Sequence, residues 1–272
     1  MRHFDISPFE ILASAWRNRD LIAQMTRREV MGRYRGSILG IAWSFFNPLL
    51  MLGVYTFVFS VIFKARWQAG SDSKTEFAIV LFAGMIVFNI LSECVNRAPG
   101  LVLSNPNYVK KVVFPLEIMP WIILGAALFH ALVSLGVLLL FSLAANHTIQ
   151  WTLIFLPVVI LPLLLLVLGL SWLLSSLGVY LRDIGQSIGI FTTALMFVSP
   201  VFYPITALPV EFRQLAMANP LAFTIEQSRS VLIWGQTPDW MGLLVQLAFS
   251  ALGAWLGFAW FQKARKGFAD VL

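Results

Sequence analysis

The chain has 272 residues, of which 59% are apolar and only 12% are charged. Soluble domains carry about a quarter charged residues, so this composition indicates an integral membrane protein. The formal charge of +6 does not indicate nucleic-acid binding, because the basic residues lie beside apolar runs and do not cover one folded surface. A single cysteine, Cys94, excludes an internal disulfide and a cysteine-rich metal site.

Residues 1–38 are polar and basic, without the apolar core that a cleavable signal peptide requires. Within them, Phe9 to Tyr34 is predicted to form one amphipathic helix that begins near Ser7 and Pro8, since apolar residues recur there at helical spacing among arginines. An arginine-rich amphipathic helix before a span lies in the membrane interface. Two roles stay open for it, simple anchoring and additional contact with a partner subunit.

Six apolar runs follow, each near the about 20 residues that a bilayer core requires. The predicted spans are residues 39–63, 77–94, 121–144, 152–180, 186–202 and 241–261. The sequence therefore predicts an all-α integral membrane protein in which residues 39–272 form one six-helix transmembrane domain.

The basic residues predict the orientation of these spans. Seven Lys and Arg precede the first span, three follow the second, one follows the fourth and three follow the sixth, whereas the opposite side has five. Because cytoplasmic loops carry the excess of Lys and Arg, both termini are predicted to be cytoplasmic.

Two connections differ from ordinary loops. Within residues 97–120, the part from Ser104 to Glu117 is too polar to cross a bilayer and too apolar for a flexible linker. It is predicted to form a short helix along the membrane surface, with Lys110 and Lys111 in water. Residues 203–240 are predicted to be external, and prolines divide them into short helices that dip back towards the membrane. Within the second segment, Glu226 and Arg229 are expected to pair with each other or with the backbone.

Catalytic and energy-coupling motifs are missing from the sequence. No GxxxxGK[ST] motif occurs, so the chain is predicted not to bind ATP through a P-loop, and no His/Cys cluster suggests a metal. The spans lack the midplane carboxylates of ion-coupled transporters, and His130 is expected to be a hydrogen-bonded packing residue. The energy for any uphill transport would therefore come from elsewhere. Arg182 and Asp183, at a predicted cytoplasmic turn, mark the membrane edge, a hinge or a partner contact.

Aromatic and small residues are concentrated in particular spans. Gly36/Gly40, Gly185/Gly189 and Gly253/Gly257 would allow close helix approach, within one subunit or across a dimer. The aromatic residues either pack and face lipid or line a transport path. The candidates for the path are Phe45, Tyr55, Phe59, Phe191, Phe197 and Tyr203.

Four sequence blocks, taken in order, resemble the permease subunit of ABC-2-type polysaccharide exporters, the family that exports O-antigen, capsule and teichoic-acid chains. The blocks are RYRGSILGIAWSFFNPLLML at Arg33–Leu52, NPNYVKKVVFPLEIMP at Asn105–Pro120, YLRDIG at Tyr180–Gly185, and SPVFYPITALP with ANPLAF between Ser199 and Phe223. The resemblance covers almost the whole chain and implies a type V exporter-like fold.

The resemblance also implies partners and site residues. It implies a homodimer that encloses a channel in a bacterial inner membrane, with two separately encoded ATPase subunits that bind the ATP and Mg, so that this chain needs no cofactor and is not itself an enzyme. The segment from Asn105 to Pro115 would be the coupling helix, and residues 203–240 would form the external gate. The implied coupling residues are Asn105, Asn107, Tyr108, Lys110, Lys111, Phe114 and Pro115.

The implied substrate is a lipid-linked polysaccharide on a polyprenyl-pyrophosphate carrier. Arg33 and Arg35 are candidates for contact with the pyrophosphate, because guanidinium groups bind phosphate oxygens. Two alternatives remain at this point: an ABC-2 exporter of a small lipid or drug, and a membrane-embedded transferase acting on lipid-linked sugars. The transferase would need an acid/base or metal-binding constellation, which the sequence does not supply.

Overall fold

The computed structural model describes residues 5–62, 67, 74–110, 114–145, 148–181 and 183–272. Within these residues the chain folds into α-helices joined by short 3₁₀ segments. The helices are α1 Pro8–Arg17, α2 Arg19–Arg33, α3 Trp43–Tyr55, α4 Lys74–Arg97, α5 Gly100–Leu103, α6 Pro106–Lys110, α7 Met119–Ala144, α8 Leu156–Tyr180, α9 Ile184–Val198, α10 Val210–Ala218, α11 Pro220–Leu232, α12 Trp240–Ala264 and α13 Phe268–Val271.

Five helical stretches of the described residues are long and apolar enough to cross a membrane. They are Gly40–Phe59, Thr75–Arg97, Leu116–Ala144, Trp151–Tyr180 and Trp240–Val271. The first continues from α3 into a π-helix, Thr56–Ile62, at whose start the Thr56 hydroxyl donates to the Leu52 carbonyl over 2.7 Å. Its predicted end at Phe63 lies outside the described residues.

The predicted fifth span is shorter in the structure than the sequence indicates. Helix α9 has 15 residues and ends at Val198, whereas the prediction extended to Phe202. Ser199 adopts an extended conformation because it precedes Pro200, whose ring disfavours a helical residue before it. A helix of this length falls short of the about 20 residues that a span requires, so six spans remain a prediction.

The long helices alternate in direction between two ends of the bundle. At one end, which we call the terminal end, the N-terminal helices meet the segment before α7 and the last residues of the chain; for example, the Tyr180 hydroxyl donates to the Ala264 carbonyl over 3.0 Å. At the opposite end, α11 packs on α4 and on the start of α8, where the Thr152 hydroxyl donates to the Val231 carbonyl over 2.6 Å.

The core is built around α4 and around the close pairing of α8 with α12. Trp172 of α8 is fully buried and meets Phe258 of α12 edge-to-face, with ring centroids 5.1 Å apart. Cys94 of α4 is also fully buried in this cluster. The first span is peripheral by comparison, because most of α3 is exposed.

The glycine pairs differ in what they do. Gly257 packs inside the subunit against Gly169 of α8, where a Cβ on Gly257 would lie 2.1 Å from the Gly169 carbonyl oxygen. Gly36 and Gly40 lie in open space, but both have positive φ in the turns that lead into α3, a conformation that favours glycine. Gly189 faces open space as well.

The prediction of one helix from Phe9 to Tyr34 is wrong, because the chain bends at Asn18 between α1 and α2. The Asn18 side-chain amide donates to the Ser14 carbonyl over 2.8 Å, beside the Asn18 backbone N–H at 3.0 Å, so this side chain bonds the backbone where α1 ends. The break lets α1 pack near α12 while α2 packs along α7. The outer face of α1 exposes Phe9, Leu12 and Trp16, as an interface helix would.

Candidate functional site: the terminal end and its cavity

The predicted coupling residues lie at the terminal end, around the short helix α6. Asn107 and Lys110 are exposed there, and Asn105 is half-buried, with its amide donating to the Leu101 carbonyl over 3.0 Å. Tyr108 stacks on Phe114 with ring centroids 4.4 Å apart, and Pro115 begins the turn into α7. Lys111 lies outside the described residues. The exposed side of α6 is thus polar, and its inner side is aromatic.

Glu117 connects this segment to three other parts of the bundle. Its carboxylate accepts hydrogen bonds from the Ser14 hydroxyl of α1, at 3.2 Å, and from the Arg265 guanidinium beyond α12, at 2.6 Å. The backbone carbonyl of Glu117 accepts from the Trp172 indole over 2.9 Å. Glu117 was not predicted to be a functional residue, although a glutamate between Pro115 and Pro120 in an apolar stretch indicates a buried polar contact.

The second predicted cytoplasmic feature is described only in part. Asp183 is exposed at the start of α9, where its backbone carbonyl accepts from the Gln186 and Ser187 amides. Arg182 lies outside the described residues, so the choice between an edge marker, a hinge and a partner contact stays open.

A cavity of about 1020 Å³ extends into the bundle between α2, α3, α4 and α7. Its walls combine amides, hydroxyls and aromatic rings with a cluster of charged side chains. Burial raises the pKa of the Tyr34 hydroxyl, with the Arg33 charge opposing, so this phenol is neutral at pH 7. The residues that line the cavity include Tyr34, Trp43, Asn47, Tyr55, Asn89 and His130.

The charged cluster on the cavity wall is centred on Glu93 of α4. The Glu93 carboxylate accepts from Arg33 at 2.6 Å and lies 3.0 Å from Nδ1 of His130. Arg97 lies 3.8 Å from the same carboxylate and also pairs with Glu29 of α2. The four charged groups therefore neutralise one another, and they tie α2 to α4 and α7.

The structure brings together residues that sequence reasoning treated separately. His130 is hydrogen-bonded, as predicted, but its partner Glu93 was predicted only as a neighbour of Arg97 in sequence. Arg33 lines the cavity and forms an ion pair with Glu93. Arg35, in contrast, is exposed in the turn after α2 and does not line the cavity. The two candidate pyrophosphate contacts are thus in different environments.

The predicted channel aromatics also separate into groups. Phe59, Phe202 and Phe197 form a stacked series near the opposite end, with centroids 5.9 and 5.7 Å apart, and the Tyr203 hydroxyl donates to the carbonyl of Val198 over 2.8 Å. Tyr55 lines the cavity. The remaining two candidates, Phe45 and Phe191, are exposed on the outside of their helices.

The segment predicted to form an external gate consists of short helices at the opposite end, with α10 and α11 as its main elements. The predicted pairing of Arg229 is confirmed: its guanidinium lies 2.7 Å from the Glu226 carboxylate. Three backbone carbonyls, those of Val80, Pro200 and Val201, also accept from Arg229, which is fully buried and lies over the Trp67 ring at 4.3 Å. Burial lowers the pKa of Arg229 to about 10, opposed by the Glu226 charge, so the group is charged at pH 7.

Comparison with known proteins places this arrangement in a family. The sequence profile described as ABC-2 type transporter matches residues 20–233, which include all but the first residue of α2, the cavity, the predicted coupling segment and all of α11. The chain belongs to the ABC-2 type transporter family. It is therefore a multi-pass membrane protein, and the predicted all-α class is confirmed by its helices.

Individual relatives of this ABC-2 family member match over nearly their full lengths. The chain is 26% identical over 264 residues to an O-antigen export system permease protein RfbA of Myxococcus xanthus, covering 96% of this chain and 99% of the relative. It is 23% identical to an RfbA of Klebsiella pneumoniae, covering 93% and 95%. It is 24% identical to the polysialic acid transport protein KpsM of Escherichia coli, covering 86% and 90%. Two of these relatives are named as export permeases and the third as a polysialic acid transport protein, which agrees with the resemblance to polysaccharide exporters.

Proposed function

We propose that this chain is the membrane-spanning permease subunit of an ATP-driven transporter that exports lipid-linked polysaccharide across the inner membrane. The observation that carries the proposal is the end-to-end match to permeases named for O-antigen export and polysialic acid transport. The fold agrees with it, since long apolar helices enclose a cavity that has polar and charged side chains on its walls.

The transporter is proposed to contain two copies of this chain and two ATPase subunits, which bind the ATP and Mg. The absence of a P-loop from the sequence requires a separate source of hydrolysis. A second copy would cover part of the first span, where Leu50, Val54 and Phe57 present an exposed apolar face. The exposed side of α6 is proposed to enter the ATPase, with Glu117 passing its movement to α1 and the end of α12.

The orientation has both termini in the cytoplasm, because the terminal end carries most of the basic residues. Residues 203–240 would then close the external side, with the stacked series of Phe59, Phe202 and Phe197 beside the passage. Arg35 remains the better of the two candidates for a pyrophosphate contact, because Arg33 is already paired with Glu93.

The proposal is tested with the proposed ATPase subunit, co-expressed and purified with the chain. ATP turnover in lipid is measured with and without this subunit, and the subunits in the complex are counted. The expected result is a two-plus-two assembly with coupled turnover. A chain that purifies alone, leaves ATPase turnover unchanged and transfers sugar between lipid carriers would overturn the proposal in favour of a transferase.

Reversing the charge at Lys110 and Lys111 to glutamate is expected to weaken ATPase binding about tenfold, while membrane insertion stays unchanged. Lys110 is exposed on α6, and reversing a charge at an interface rim weakens association without disturbing the fold. Affinity is measured by titrating the purified ATPase onto the permease in nanodiscs. The matched control is Glu211→Lys, another exposed charge reversed but at the opposite end. Equal ATPase affinities for the lysine variant and the Glu211→Lys control would show that the two lysines do not contribute to ATPase binding.

A further inference from the structure

We infer that the cavity between α2, α3, α4 and α7 binds the uncharged, hydroxyl-rich saccharide part of the substrate next to its lipid carrier. The inference deepens the proposed function and rests on it, because that function supplies the lipid-linked glycan. It concerns the selectivity of the cavity, which no relative's name specifies.

The first support is the electrostatic balance of the cavity. Glu93 is paired with Arg33 and lies 3.8 Å from Arg97, and Arg97 is also paired with Glu29, so the guanidinium groups on this wall are already neutralised. A pyrophosphate would have to displace a carboxylate from its guanidinium partners to bind there. The cavity is therefore poorly suited to an anion and better suited to a neutral ligand.

The second support is a set of polar atoms without partners in the described residues, two side-chain amides and one imidazole nitrogen. On α4, every residue from Phe77 to Leu91 is buried except Asn89, whose side chain is exposed to the cavity. Asn47 is exposed on the α3 wall, and among the described residues neither amide has a hydrogen-bond partner. The Nε2 atom of His130 is buried there and likewise has no partner within the part of the chain described.

Such groups are costly in an apolar span unless something hydrogen-bonds to them. An amide offers two donors and an acceptor, which match the alternating donor and acceptor character of sugar hydroxyls. Two asparagines on facing helices can therefore bind a polyhydroxylated ligand between them, whereas an acyl chain would leave both amides unsatisfied.

The third support is the shape of the cavity and its aromatic rings. Trp43 is 40% exposed at the cavity wall, and Tyr34 and Tyr55 also line it, so flat apolar ring faces lie beside the amides. Rings of this kind pack against the apolar faces of sugar rings while their polar atoms remain free to hydrogen-bond. The volume of about 1020 Å³ is at the upper end of the range for pockets that hold drug-sized molecules, which suits one to a few sugar units.

The test uses the permease–ATPase complex in nanodiscs and two probes, polyprenyl pyrophosphate alone and the same carrier bearing one N-acetylhexosamine. We expect the wild-type complex to bind the sugar-bearing carrier more tightly. Asn89→Leu and Asn47→Leu should each weaken binding of the sugar-bearing carrier about tenfold and leave binding of the bare carrier unchanged, since each removes hydrogen bonds to the sugar alone. The matched control is Gln24→Leu, an exposed amide on α2 outside the cavity, which should change neither affinity.

The outcomes separate this inference from the proposed function. If the wild type binds both probes equally, or if the asparagine variants keep the full preference for the sugar-bearing carrier, the cavity is not the saccharide site and the export proposal still stands. If the wild type binds neither probe, the proposed substrate is wrong and the inference fails with it.

Discussion

Replacing Arg229 with methionine is expected to lower the free energy of unfolding by about 3 kcal/mol, at the lower end of the range for losing one partner of a buried charge pair. The guanidinium of Arg229 is fully buried and joins α11 to α4 and to the bend after α9. Methionine fills similar volume but donates no hydrogen bond, so the Pro200 and Val201 carbonyls lose their partners. Because Glu226 is 25% exposed, water can partly solvate its freed carboxylate, which keeps the loss near the lower value.

The sole cysteine of the chain provides the measurement. Cys94 is fully buried, so a thiol-reactive fluorophore labels it only as the protein unfolds on heating. The labelling midpoint of Arg229→Met should fall by about 10 °C. Arg213→Met is the control, since within the described part of the chain Arg213 bonds only the carbonyls of its own segment, and the substitution should cost less than about 1 kcal/mol. A midpoint for Arg229→Met equal to that of Arg213→Met would show that the buried contacts contribute little.

The Gly257→Ala substitution is expected to be the next most damaging change, with a loss of about 1–3 kcal/mol, the range for overpacking a core. The added Cβ would lie 2.1 Å from the Gly169 carbonyl oxygen and 2.8 Å from the carbonyl carbon. Because these atoms belong to the backbone, α8 and α12 would have to separate to make room. The separation would also loosen the packing of Trp172 on Phe258.

Gly253→Ala is the matched control for this prediction. Gly253 lies one turn earlier on the same helix, and a Cβ there would meet only Leu166, at an ordinary 3.8 Å. Alanine also stabilises a helix by about 0.5–1 kcal/mol relative to glycine. The midpoint temperature of Cys94 labelling in Gly253→Ala should therefore equal that of the wild type or lie slightly above it. Equal midpoints for both alanine variants would mean that the two helices are not held at the described distance.

Much of the fold could be predicted from the chain because membrane insertion leaves a strong signal in composition. Long apolar runs must become helices in lipid, since every backbone polar group has to be satisfied within the segment. The boundaries were less accurate, as at Val198, where the restriction imposed by Pro200 on Ser199 outweighed the apolar content of the following residues. The bend at Asn18 was missed because a side chain that bonds the backbone leaves no trace in hydrophobic periodicity.

The candidate site was less predictable because it depends on contacts across the sequence. Arg33 and Glu93 are 60 residues apart, and His130 is 37 residues beyond Glu93, so no local pattern links them. Glu117 similarly joins Ser14 to Arg265 over separations of 103 and 148 residues. The role proposed for Asn89 could not be predicted from its place in an apolar span. It depends on Asn89 being the exposed residue in the otherwise buried stretch 77–91, which only the structure shows.

By itself, the sequence determined that this is a helical membrane protein with a basic terminal end, an exposed polar segment around Lys110 and a proline-divided segment before the last span. Those properties follow from local composition, because the composition of a segment determines its free energy of transfer into the bilayer. Only the tertiary structure decided that Arg33 is neutralised by Glu93, that Gly257 packs within the subunit, and that Arg229 holds three segments together. These depend on which helices become neighbours, and that is settled by packing between residues far apart in the chain.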